Sequence, residues 1–170
     1  FDAIAHFTRE CNDLGIDTIE TGGAIGVAMQ GGLLPFGDVD GVMAIFREMR
    51  EGGLTGKLIG AGAATVGRVL GVREVASVKG QVMAAYDPRV IKGNGVTYAT
   101  SPMGADHTAG NTIGAKVDHL DPKAKVALSR EIQIVATLLD MLGFCSFARA
   151  AYANTAESFL GLFKARFGVD

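Results

Sequence analysis

The sequence has no excess of positive charge: 16 Lys and Arg stand against 18 Asp and Glu, a net charge of -2. That excludes a nucleic-acid binder working by bulk charge, which needs clustered cations to displace counterions from phosphates. Cysteine is scarce. Cys11 and Cys145 are too few for a disulfide-stapled secreted scaffold, and a reducing, cytoplasmic setting is expected. Apolar runs are broken by Gly, Arg or Asp well before the roughly 20 residues of a bilayer span, so no membrane partner is expected. There is no GxxxxGK[ST] and no GxGxxG opening a helix after a strand, which disfavours a nucleotide loop. Period-two alternation and internal repeats are missing, and the expected class is all-α and multihelical. A signal peptide is missing too, and Phe1-Asp2 is not an initiator start, so the chain reads as a piece of a longer protein.

What is present in quantity is hydrophobic residues and glycine. Hydrophobic residues make up 48% and charged residues 20%, too apolar for disorder. The 170 residues suffice for one well-buried domain or two small ones. The 24 glycines are about twice the usual share of roughly 7% and follow no collagen period, so they serve turns, helix ends or close approaches.

Helical spacing of Ile4, Phe7, Cys11 and Leu14 predicts a first helix ended by Gly15. The small residues of 22–30 predict a close-packing helix. Asp38 is an N-cap for a helix with Val39, Val42, Met43, Phe46 and Met49 on its apolar face, stopped by Gly52-Gly53. Short helices are expected around 55–61 and 63–70. Residues 75–112 read as a polar, glycine-rich middle of the kind that carries function. Asp121-Pro122 then predicts a strong helix start, with Ala124, Leu128, Ile132, Val135, Leu138, Leu139 and Leu142 buried and Gly143 ending it. Tyr152 to Phe167 reads as a last amphipathic helix. The expected organisation is a first helical lobe over 1–75 and, over 76–170, a glycine-rich loop with a second lobe.

Three segments could carry chemistry. In Asn12-Asp13-Leu14-Gly15-Ile16-Asp17, Gly15 lets the chain turn so that two carboxylates can address one ligand edge; solvated acids at a helix end are the plainer reading. Asp140-Met141-Leu142-Gly143-Phe144-Cys145 repeats that logic, so the two read as similar cofactor turns. Cys145 could also be a buried small hydrophobe, and one thiolate cannot complete a zinc or iron–sulfur site needing about four ligands. In Ser101-Pro102-Met103-Gly104-Ala105-Asp106-His107, the imidazole can donate, accept or shuttle a proton, or simply tie the loop together. His6, His119 and Cys11 read as packing or surface residues.

In combination, CNDLGIDTIETG (11–22), VKG (78–80), AYDPRVIKGNGVTYATSPMGADHTAG (85–110) and LLDMLGFCSF (138–147) resemble the tungsten-containing aldehyde ferredoxin oxidoreductase family across essentially the whole chain. The resemblance implies the two helical C-terminal domains of such enzymes. It implies oxidation of an aldehyde substrate to a carboxylic acid and electron transfer through a 4Fe–4S cluster to ferredoxin. It also implies tungsten, or molybdenum as in some relatives, held by a bis-pterin cofactor.

Carried over residue by residue, the resemblance implies that Asp13 and Asp17 bind one pterin and Asp140 the other. Ser146, Pro102 and Met103 would lie beside the pterin, Cys145 would ligate the cluster, and His107 would be the catalytic donor or proton shuttle. A carboxylate suits a pterin edge, which offers adjacent N–H donors. The family's N-terminal cofactor domain and the cluster's other three cysteines are absent from the 170 residues, so both cofactors are incomplete and the isolated chain is expected to be inactive. Gln81 to Ala84 lacks the family's Glu and Pro, Pro102-Met103 replaces a more polar pair, and Ala105 also departs from the pattern. The surface facing the absent domain is expected to be apolar. A homodimer is left open, as is a second reading of the whole chain as a non-catalytic helical interaction domain.

Overall fold

The computed structural model describes residues 1–152 and 155–169. Among the described residues the chain is all-α apart from one hairpin of two two-residue strands. Five helices come first: α1 (Asp2–Leu14), α2 (Thr18–Gln30), α3 (Val39–Glu51), α4 (Leu54–Gly60) and α5 (Ala63–Leu70). Their boundaries follow local chemistry. Asp38 Oδ1 accepts the Gly41 N–H at 2.9 Å, capping α3 as predicted. Asp17 Oδ2 does the same for Glu20 N–H at 2.6 Å, capping α2.

Apolar burial holds these helices together. Cys11, Ala24, Ala28, Val42, Phe46, Ile59, Ala63 and Val66 are all buried, and Phe7 packs on Phe46 with ring centroids 6.1 Å apart. Ile45 is also in this core, whereas Val39, expected on the apolar face of α3, is exposed. Burial pushes the Cys11 thiol pKa above its ordinary range, partly offset by a hydrogen bond with Thr21.

The middle of the chain departs from the expected loop. Strands β1 (Ser77–Val78) and β2 (Gln81–Val82) pair antiparallel through a Lys79-Gly80 turn with both φ angles positive, 53° and 87°. That is the mirror-image turn that suits a two-residue hairpin. Val82 reaches back into the apolar core. Helix α6 (Lys92–Thr100) follows, unannounced by any apolar stripe. Its buried side chains are Asn94, Thr97 and Tyr98, two of them polar and one aromatic. Asn94 Oδ1 accepts from Thr112 N at 2.8 Å and Thr112 Oγ1 at 2.9 Å. Thr97 Oγ1 lies 2.8 Å from Gly110 O and 2.7 Å from Ser129 Oγ.

Helix α7 (Lys125–Met141) starts later than Asp121-Pro122 suggested. Asp121 Oδ1 accepts from Lys123 N at 3.0 Å in a local turn, and Ala124 is left-handed at φ 58°, so the helix begins only beyond it. Its expected apolar stripe is also corrected. Lys125 and Ser129 are the buried residues; Leu128, Ile132, Val135, Leu139 and Leu142 are half-buried; Ala124 and Leu138 are exposed. Helices α8 (Arg149–Tyr152) and α9 (Ala156–Phe167) complete the described chain, and no side chain of α9 is buried. Residues 153 and 154, inside the last helix read from the sequence, lie outside the described residues. Among the described residues, no helix is long and apolar enough to cross a membrane.

Candidate functional site

The two glycine bends share one backbone motif. At the first, Gly15 is left-handed at φ 68°, its N–H donates to Asn12 O, and Ile16 N–H donates to Cys11 O. At the second, Gly143 is left-handed at φ 73°, its N–H donates to Asp140 O, and Phe144 N–H donates to Leu139 O. Both are helix C-terminal caps in which glycine admits the positive φ that other residues resist. Aligning the glycines pairs Asp17 with Cys145 and Asn12 with Asp140. Asp13 matches Met141, so Asp13 and Asp140 are not equivalent positions. The shared logic read from sequence is present, with a register one residue different from that reading.

A cleft of about 320 Å³ opens beside the first bend. It is lined by Asp17 and Glu20 from the start of α2, by Gln81 and Val82 from the hairpin, and by Met103, Ala105, Asp106 and His107 from the loop after α6. Glu20 joins the pieces. Its Oε1 accepts from Ala63 N and its Oε2 from Val82 N, each at 2.8 Å, so one carboxylate ties α2, α5 and β2 together. Asp106 is committed to its own loop: Oδ1 accepts from Thr108 N at 2.8 Å and Thr108 Oγ1 at 2.7 Å, which caps the short 3₁₀ turn His107–Ala109. The His107 ring packs on Tyr86, centroids 5.1 Å apart. Tyr86 is steadied in turn: its carbonyl accepts from the buried Tyr98 hydroxyl at 3.3 Å, and burial raises the Tyr98 phenol pKa. Gly104 is required by close approach, since a Cβ there would lie 2.2 Å from Val78 O.

The structure thus brings Asp17, Met103 and His107 to one cleft. Asp13, Pro102, Asp140, Cys145 and Ser146 do not line it. Asp13 sits at the end of α1 with Arg9 Nε and Arg50 Nη2 each 3.8 Å from its Oδ2, while Arg50 also holds Glu10. Such partners relieve the unfavourable position of an acid at a helix C-terminus. Pro102 is exposed next to Met103, and Asp140, Cys145 and Ser146 are exposed around the second bend. Sequence reasoning missed Glu20 and the packing of Tyr86 on His107. An acid in the first turn of a helix of small residues was the available signal for Glu20.

The cofactors that the resemblance implies need carboxylate acceptors for a pterin and thiolates for a cluster. Asp17 retains a carboxylate oxygen, Oδ1, with no hydrogen bond to the described residues, and the exposed Asp140 carboxylate has none either. Both can accept from N–H groups of a pterin edge. For a cluster the chain offers only the exposed Cys145, and no group of three or more His, Cys, Asp or Glu among the described residues could hold a metal. The acceptors of Asp17 and Asp140, at two separate bends, thus have the chemistry a pterin edge needs, whereas the described residues do not complete a cluster.

Comparison with known proteins bears on the family. A protein-family model described as aldehyde ferredoxin oxidoreductase, domains 2 & 3, matches residues 1–170. Tungsten-containing aldehyde ferredoxin oxidoreductase from Pyrococcus furiosus is 26% identical over 99% of the chain, and the protein of that name from Thermococcus kodakarensis is 25% identical over the same share. The Pyrococcus abyssi protein is 27% identical over 97% of the chain. The chain spans 31% of the length of the first two relatives and 30% of the third. With its helical architecture and a family match along its full length, the chain belongs to the family of aldehyde ferredoxin oxidoreductase domains 2 and 3.

Proposed function

We propose that this chain forms the helical wall of a cofactor site in an oxidoreductase that converts aldehydes to carboxylic acids and passes the electrons on to ferredoxin. The observation that carries the reading is the cleft: Asp17 with a spare acceptor oxygen and His107 with its imidazole line the same 320 Å³ space. The tungsten or molybdenum bis-pterin would supply the two-electron oxidation when bound, and a 4Fe–4S cluster would take the electrons onward. This chain's residues do the rest. Asp17 accepts hydrogen bonds from a pterin edge, with Asp140 doing so at the second bend and Ser146 beside it. Asp13, at the first bend, would accept from the same pterin as Asp17, and Met103, with Pro102 next to it in the chain, would lie near that pterin. His107, held by Tyr86 and by the turn that Asp106 caps, donates to a substrate carbonyl or carries a proton. Cys145 contributes one thiolate to a cluster whose other ligands come from a further segment.

The exposed apolar side chains of α7 and α9, among them Ile134, Met141, Leu160 and Phe167, favour a second reading as an interaction domain. One experiment separates them. The D17A and H107A variants are made in a polypeptide of the relatives' full length, and its metal and pterin content and its aldehyde oxidation are measured. The oxidoreductase reading expects D17A to lower cofactor content, and H107A to cut turnover on the order of 10²-fold or more with cofactor retained. Full cofactor and unchanged turnover in both variants leave the interaction domain. The isolated 170-residue chain should hold no stoichiometric tungsten or cluster by metal analysis.

A further inference from the structure

We propose that Lys79 and Thr97 are positioning residues that clamp the two ends of segment 101–110 and so set where His107 stands against the cleft; this rests on the reading of His107 given above. The segment needs outside support, because its only regular structure is the three-residue turn His107–Ala109. At its entry the Lys79 ammonium donates to Ser101 O at 2.6 Å and to Ala99 O at 3.3 Å. These carbonyls close α6, where the helix dipole is negative and suits a cation, and Ser101 O also accepts from Gly104 N at 3.2 Å.

At the exit the Thr97 hydroxyl meets Gly110 O at 2.8 Å and Ser129 Oγ at 2.7 Å. Thr97 has a single hydroxyl proton. If that proton goes to the Gly110 carbonyl, Ser129 donates to Thr97 and itself accepts from Gln133 Nε2 at 3.0 Å. Each hydroxyl then gives one bond and receives one, an order that strengthens the whole chain. Thr97 and Ser129 are both fully buried, so no water competes.

The backbone at Lys79 supports a role for its side chain. A left-handed φ of 53° costs a residue with a Cβ, and such a turn position favours Asn, Asp or Gly. A lysine there is explained by what its ammonium holds, not by the turn.

The test uses the full 170-residue chain and needs neither cofactor nor turnover. His107 ring protons are followed by NMR, where the packed Tyr86 ring displaces them upfield, and amide hydrogen exchange is measured along the chain. In K79M and in T97V the upfield displacement should be lost, and exchange of the segment 101–110 should quicken roughly tenfold, the size expected for one such hydrogen bond. Helices α2 and α3 should exchange as before, and K79R and T97S should restore both signals. An unchanged His107 signal in K79M and T97V overturns the proposal. So does faster exchange spread equally over α2 and α3, which marks a general loss of stability. Lys79 is exposed, so K79M should fold and decides the matter even where T97V does not. Failure here leaves the aldehyde-oxidising reading standing, because no step of the test depends on that chemistry.

Discussion

The helices before Val75 and those after Tyr86 are held by different mixtures of chemistry. The first set closes around Val42, Ile45, Phe46, Ile59 and Val66, side chains that need only be out of water. The second buries Ile91, Tyr98 and Ala105 but adds Asn94, Thr97, Ser101, Thr112 and Ser129, each needing a partner at a set distance and angle. An apolar core tolerates small shifts, whereas a hydrogen-bonded one specifies position. The loop that carries Met103 and His107 hangs from the polar core, and the scaffold under Asp17 rests on the apolar one. The cleft lies where the two meet, with Glu20 and Val82 bridging them.

The contrast can be broken most forcefully at Phe46, 1% exposed in the apolar core. Phe46→Ala should cost about 3–5 kcal/mol by denaturant unfolding, the range for truncating a buried aromatic, and it should loosen α1, α3 and α4 together. A loss below about 1 kcal/mol would mean that the first core is not the main source of stability. Next in size is Asn94→Ala, which strips Thr112 N–H and Oγ1 of their buried acceptor. The expected loss is about 1–3 kcal/mol, with exchange rising first in α6 and around Thr112.

The smallest effect expected is alkaline. Burial raises the pKa of Cys11 in one core and of Tyr98 in the other, so the folded chain resists their ionisation. The unfolded chain ionises them earlier, so stability is intact below their ordinary ranges and falls as pH rises through the folded values. Cys11→Ala should flatten the part of that decline nearer the thiol range, and Tyr98→Phe the part nearer the phenol range, in melting temperature against pH. A decline unaltered by both variants would place its origin elsewhere.

The first half of the fold was legible because its signals are local. Gly15 and Gly52 stop helices by admitting a positive φ, Asp38 starts one by accepting an N–H three residues on, and an apolar stripe shows which face goes inward. Helix α6 was illegible for the converse reason. Lys92–Thr100 contains two glycines, an Asn and two threonines, poor helix formers without an apolar stripe, and it is held by Thr112 and Ser129 from elsewhere in the chain. The start of α7 misled because Asp121-Pro122 is a sound helix opening locally, yet Asp121 is spent on a turn and Ala124 takes a left-handed conformation.

The site divides in the same way. Residue types and spacing were enough to single out Asp17 and His107 as candidates, because ligand chemistry and a glycine bend are both written in short segments. That Asp17 and His107, 90 residues apart, line one cleft while Asp13 turns to two arginines instead could come only from packing. Short-range preferences reach about one helical turn along the chain. Convergence of distant segments depends on which buried groups find one another, and here Glu20, Thr97 and Lys79 made that choice through bonds to residues that no local pattern names.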